Sequence, residues 1–288
     1  MPETTGSLGP DDLVLSVGTL PRASFRERVA AARAGGFAGI SLRVRDHREA
    51  REQGLSDGDL RALLADHAIA VGEIEVLSTW RPGAPVHPKA ASLDEILDVA
   101  GALGARSVSV VEGPGEPLDV AAAADAFGAV CDRGSALGLL FHLEFWPGSA
   151  LDLATAIAIV RAARRVNGGL LVDTWHLART RNGDALLAEV PGDRILALQL
   201  SDSPRVSAPE PDYMRATLTR RLVPGEGALD LAGLVRRLDA SGCRAPVSVE
   251  VWSEELAAQP AIDVARRVGE AMRAVLARAR GPLSAPSA

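Results

Sequence analysis

Four polar side chains close short apolar runs: Glu144 in HLEFWPG, Asp173 in LLVDTWH, Gln199 in ILALQLSD and Glu250 in APVSVEVWS. Three carboxylates gathered in a poorly hydrated place repel one another and take up protons unless a cation neutralises them. Carboxylate oxygens together with an amide oxygen suit a hard or borderline divalent ion, so Mn2+ or Mg2+ is expected ahead of Zn2+ or Co2+. An ion so held polarises a carbonyl and makes the adjacent C–H acidic, with Glu144 or Glu250 placed to take the proton. The competing structural reading makes the four residues separate salt-bridge or helix-capping groups near strand ends.

The four residues follow one another at intervals of 29, 26 and 51 residues. One strand-helix unit per interval sets them on neighbouring strands at one rim, the last interval being lengthened by a loop. Alternation along a strand gives a parity check. If Glu144 points inward, so do Leu140 and His142; Gln199 brings Ile195 and Ala197, and Glu250 brings Ser248.

Positioning these groups requires repeated strand-helix units. Apolar runs at 13–17, 39–44, 70–77, 107–111, 139–144, 169–173, 195–200 and 246–251 alternate with alanine- and arginine-rich stretches of helical period. Eight is the number of strands that closes a parallel barrel, and the expected fold is a single-domain (β/α)8 TIM barrel over residues 13–280. Ser24 with Glu27, and Ser92 with Glu95, have capping-box spacing, and Gly35-Gly36 reads as a helix stop. The stretch 201–222 is long for a connection after a strand, and at a barrel's catalytic rim such insertions carry function. Residues 1–12 read as a disordered leader and 281–288 as a frayed tail.

The 288 residues carry a net charge of -6, with no basic field to gather nucleic acid or an anionic membrane. Apolar runs are too short to cross a bilayer, and the polar N-terminus lacks the features of a secretory signal. Cys131 and Cys243 read as free thiols of a reducing compartment, hence a cytoplasmic protein. Lys89 is the only lysine and sits in RPGAPVHPKA, away from any strand end, which argues against Schiff-base aldolase chemistry.

The segments DTWH, QLSD, LVPGEGALDL and SVEVW resemble the xylose isomerase-like TIM barrels. That group comprises sugar phosphate isomerases and epimerases and includes 3-dehydroshikimate dehydratases. The resemblance covers the strand-helix series from about Leu13 to Leu276, with the specific motifs between His142 and Trp252. It implies metal ligands at Glu144, Asp173, Gln199 and Glu250. Gln199 stands where most members have histidine, as in the dehydratase relatives, which bears on metal preference and substrate class. It also implies a substrate-contacting role for His176, three residues past Asp173; the bland alternative packs His176 beside Trp175.

Other candidates follow from residue type and place. Arg43 on the second strand and Arg205, Arg220 and Arg221 in or after the long loop suit bidentate binding of a carboxylate or phosphate, though most arginines in so arginine-rich a chain must be surface charge. Glu226 in PGEG either approaches the site or is a turn residue. Trp80, Trp146 and Trp252 follow strand ends and suit flat walls around a ring-shaped substrate, or packing at the rim. His142 reads as a satisfied interior histidine, and His47, His67 and His87 as surface.

The leading expectation is a metal-dependent isomerase or epimerase of a small polyhydroxylated ketone, with Glu144 and Glu250 moving the proton and His176 assisting. The second is a dehydratase-like lyase that shares proton abstraction and then expels a β-hydroxyl as water, with Gln199 as the feature favouring it. An AP-endonuclease role is disfavoured by few histidines and an acidic surface. A non-catalytic barrel subunit is the remaining reading, and a homo-oligomer is left open.

Overall fold

Eight parallel strands close into a barrel in chain order, β8 returning to pair with β1. The structure, a computed structural model, describes residues 8–83, 89–205 and 212–281. The strands are β1 (Leu13–Leu15), β2 (Gly39–Arg43), β3 (Ala70–Leu77), β4 (Ser107–Val110), β5 (Leu140–Glu144), β6 (Gly168–Asp173), β7 (Ile195–Leu200) and β8 (Val247–Val249). Each lies within two residues of its expected run at either end. The first part of the expected leader, most of the expected tail, residues 206–211 of the long loop and His87 lie outside the described residues.

Period-two alternation splits every strand into two faces. Outward residues such as Ile40, Leu42, Ile74, Val108, Phe141, Leu143, Val172, Leu198 and Val249 are buried against the surrounding helices. Each such side chain contributes about 1.5–3 kcal/mol by leaving water, and together they form the main core. The inward face is polar toward the carboxyl ends: Ser16, Ser41, Glu73, Glu75, Ser109, His142, Gln199, Ser248 and Glu250 are all buried. Free Cys131 and Cys243 are buried too.

The expected helix starts are present. Ser24 and Glu27 cap the helix Phe25–Ala34 reciprocally, and Ser92 and Glu95 do so for Leu93–Leu103. Gly36 has φ +70° just past the first of these, where a side chain would be strained. Gly169 lets β6 approach β7: a Cβ there would lie 2.4 Å from the carbonyl oxygen of Arg194. Among the described residues no helix is long and apolar enough to cross a membrane.

Candidate active site

The site is built from the end of β6 outward. Asp173 is the last residue of that strand and caps the short helix Thr174–Leu177, its Oδ1 accepting from the N–H groups of Trp175 (2.7 Å) and His176 (3.4 Å). That single turn carries His176 back over the strand end. Its Nε2 lies 3.5 Å from Glu144 Oε1 and 3.6 Å from Asp173 Oδ2. One donor atom from each of Glu144, Asp173 and His176 falls within 4.8 Å of the others, close enough to share an ion.

Glu250, just past β8, joins through Arg221. The Nη1 of Arg221 donates to Asp173 Oδ2 at 2.6 Å and to Glu250 Oε2 at 2.9 Å, and its side chain is 2% exposed. Glu250 Oε1 receives the hydroxyl of Ser16 at 3.1 Å. Gln199 is the β-register partner of Asp173, and its buried Oε1 has no hydrogen-bond partner among the described residues.

Two acids add to the negative charge. Glu75 on β3 accepts from Ser41 (2.5 Å) and lies within 3.2 Å of the Ser16 hydroxyl. Glu73, two residues earlier on the same face, approaches His142 Nε2 at 3.9 Å. Burial pushes Glu73 well above the usual carboxylate range, with repulsion from Glu75, Glu144 and Glu250 adding to it. Burial also pushes Glu250 well above its ordinary value, against the pull of Arg221. For Asp173 burial acts upward, yet the charges of Arg221 and His176 with the hydrogen bonds it accepts outweigh it and hold the carboxyl low. The two partners of Arg221 thus move in opposite directions because Glu250 carries additional repulsion from Glu75, Asp173 and Glu144 and lacks Asp173's backbone donors.

Beside this cluster lies a cavity of about 420 Å³, with Glu75, Glu144, His176, Arg221 and Glu250 among its lining residues together with Arg43, Trp146 and Trp252. Met214 and Leu218 line it from the short helix Tyr213–Thr219. Tyr213, the only tyrosine in the chain, stacks on Trp146 with centroids 6.0 Å apart and planes 5° from parallel. Its hydroxyl sits against Nδ1 of His176. A larger cavity of about 690 Å³ lies beside Thr180, Asp184 and Asp230, but it lacks converging buried acids: Asp184 pairs with Arg237, and Asp230 caps the helix Leu231–Ala240.

Glu144, Asp173, His176 and Glu250 therefore come together, with Gln199 beside Asp173. Arg43 reaches the cavity and lies 5.1 Å over the Trp252 ring. Trp146 and Trp252 line it, whereas Trp80 is buried and donates to the Val111 carbonyl. Other expectations are corrected. Glu226 does not line the cavity: it points outward and takes two hydrogen bonds from Arg267, at 2.9 and 3.0 Å, because Asp202 pins its turn through the N–H groups of Gly225 and Leu229. Arg205 is exposed and does not line the cavity, as is Arg220. His142 is interior but not satisfied, since neither ring nitrogen has a hydrogen-bond partner among the described residues. Arg221, expected to meet a substrate anion, lines the cavity and is paired there with two site carboxylates.

Glu73, Glu75, Ser16 and Tyr213 were not singled out by sequence. Only the two glutamates had a visible signal, as acids alternating through the apolar run AVGEIEVL.

The donor set fits a divalent ion. Several buried carboxyls face one guanidinium, and the orphaned Gln199 oxygen is an acceptor with no protein donor, costing about 1–3 kcal/mol unless something binds it. A family profile, the xylose isomerase-like TIM barrel, matches residues 29–274. The chain belongs to the xylose isomerase-like TIM barrels. Among curated members of related sequence, a Pseudomonas aeruginosa protein named 3-dehydroshikimate dehydratase is 29% identical over 257 residues, 84% of this chain. The chain spans 38% of that relative's length. Solved barrels of the same fold include the IolI protein with a zinc atom, at TM-score 0.78 and 19% identity, covering 93% of this chain and 98% of that one. Another is D-allulose 3-epimerase from Methylomonas sp., at TM-score 0.70 and 17% identity, covering 94% and 99%. Proteins named as a dehydratase and an epimerase thus stand among those this chain is similar to, the second by fold alone.

Proposed function

We propose that this chain is a divalent-metal-dependent lyase that removes water from a small cyclic hydroxy ketone, as a 3-dehydroshikimate dehydratase does. Glu144, Asp173, Gln199 and Glu250 would hold the ion, Mn2+ or Mg2+ by donor chemistry, with Zn2+ also compatible. The bound ion supplies Lewis acidity toward a ketone oxygen, which acidifies the neighbouring C–H.

The observation that carries the reading is the pairing of His176 with Tyr213 at the edge of the cavity. With Nδ1 engaged by Tyr213, His176 directs Nε2 toward Glu144 and Asp173, whose carboxylates stabilise the imidazolium formed when Nε2 takes a proton. The same nitrogen returns that proton to the departing β-hydroxyl, so one C–H and one C–O bond break, a C=C bond forms and water leaves. Trp146, Met214 and Leu218 line the cavity with apolar surface that suits a flat ring, and Tyr213 stacks on Trp146.

A second reading, epimerisation, draws on Glu144 and Glu250 both lining the cavity. It requires each glutamate to move a proton while also holding the ion, and Glu250 is further engaged by the Ser16 hydroxyl.

The test is incubation of the purified chain with 3-dehydroshikimate, followed by absorbance for an aromatic product, with and without a chelator. Product formation that a chelator stops and Mn2+ restores is expected. Absence of product, with deuterium entering a ketose in heavy water, would favour epimerisation.

A further inference from the structure

Each of the two carboxylates that Arg221 bridges has one oxygen already committed. Asp173 Oδ1 accepts two backbone N–H groups at the start of Thr174–Leu177, and Glu250 Oε1 accepts the Ser16 hydroxyl. The remaining oxygens, Asp173 Oδ2 and Glu250 Oε2, converge on one atom: Nη1 of Arg221, at 2.6 and 2.9 Å. A divalent ion that ligates both oxygens must sit about 2.0–2.6 Å from each, within the volume that this nitrogen fills. Two cations cannot share that gap.

We infer that Arg221 is the site's resident cation, and that a metal ion binds by displacing its guanidinium from between Asp173 and Glu250. The inference rests on the metal-site reading above. In the metal-free protein Arg221 spares two buried carboxylates from being unpaired, which is why a guanidinium 2% exposed is tolerated there. Arg221 lies just past the helix Tyr213–Thr219, so its side chain can turn away by rotating its own torsions, giving up the 3.1 Å bond from Nε to the Thr217 carbonyl, without unfolding that helix. Since Arg221 already lines the cavity, the displaced charge turns into the space where a small anion would bind.

The test is calorimetric titration of Mn2+ and Zn2+ into the metal-free full chain, wild type and Arg221→Met. Removing the competitor is expected to tighten binding by about tenfold or more and to enlarge the metal-induced rise in melting temperature. Equal or weaker binding by Arg221→Met would overturn the inference while leaving the metal site standing. No binding by either protein would overturn both. Should the variant fail to fold without metal, the zinc-loaded wild-type crystal structure decides. Arg221 Nη1 beyond about 4 Å from at least one of the two oxygens supports displacement, and retention of both contacts refutes it.

Discussion

The hydroxyl of Tyr213 meets Nδ1 of His176. Burial, and after it the charge of Asp173, pushes the phenol above its ordinary range, so the hydroxyl stays protonated at neutral pH. Stacking on Trp146 fixes the ring that carries it. The contact sets the orientation of an imidazole whose other nitrogen faces the carboxylates.

Tyr213→Phe keeps the stacked ring and removes the contact. The turnover number is expected to fall about 10–100-fold, as when a supporting partner is lost, with stability changed by only about 1 kcal/mol. Steady-state kinetics beside thermal melts checks this; an unchanged pH-rate profile and turnover would remove Tyr213 from the mechanism.

Gln199→Leu has two opposite effects. It deletes a buried acceptor with no partner, so the metal-free protein should gain up to about 1–3 kcal/mol. It also deletes a proposed ligand, so Mn2+ affinity should drop about 10–100-fold. Urea melts and metal titration read the two separately. Gln199→His should shift preference toward Zn2+, since imidazole is the softer ligand.

Glu73 supplies a pH dependence. Its folded pKa lies above the unfolded value, so its contribution to stability is full below about pH 4.3 and declines as pH rises toward the folded pKa. Glu73→Gln abolishes that decline. The variant's advantage over wild type should therefore grow with pH above that point, by at most about 1.4 kcal/mol per unit. Denaturation at pH 4 through 8 tests the slope, and a constant difference would show that folding does not raise the pKa of Glu73.

Gly18 leaves no room for a side chain: a Cβ would lie 2.4 Å from Trp252 Nε1 and 3.0 Å from Glu250 Cγ. Gly18→Ala should displace both residues at the rim and weaken metal binding and turnover about tenfold, while secondary structure by circular dichroism is kept. Wild-type metal affinity in that variant would mean the rim yields without moving Glu250.

Sequence alone determined the barrel and the strand-end positions of Glu144, Asp173, Gln199 and Glu250. Both follow from local rules, strand alternation and the recurrence of strand-helix units, and His176 follows because a capped turn spaces it three residues from Asp173. The acids at 73 and 75 were legible in the same way, as two glutamates on one face of β3. Other features depended on where distant segments meet. Arg221 and Glu226 lie five residues apart, yet one is buried between Asp173 and Glu250 and the other faces Arg267 at the surface. Ser16 reaches Glu250 across 234 residues, and Tyr213 reaches His176 across 37. Charge pairing inside a barrel is settled by which carboxylates enclose a cation and how little water is left to compete, and only the closed sheet defines that enclosure.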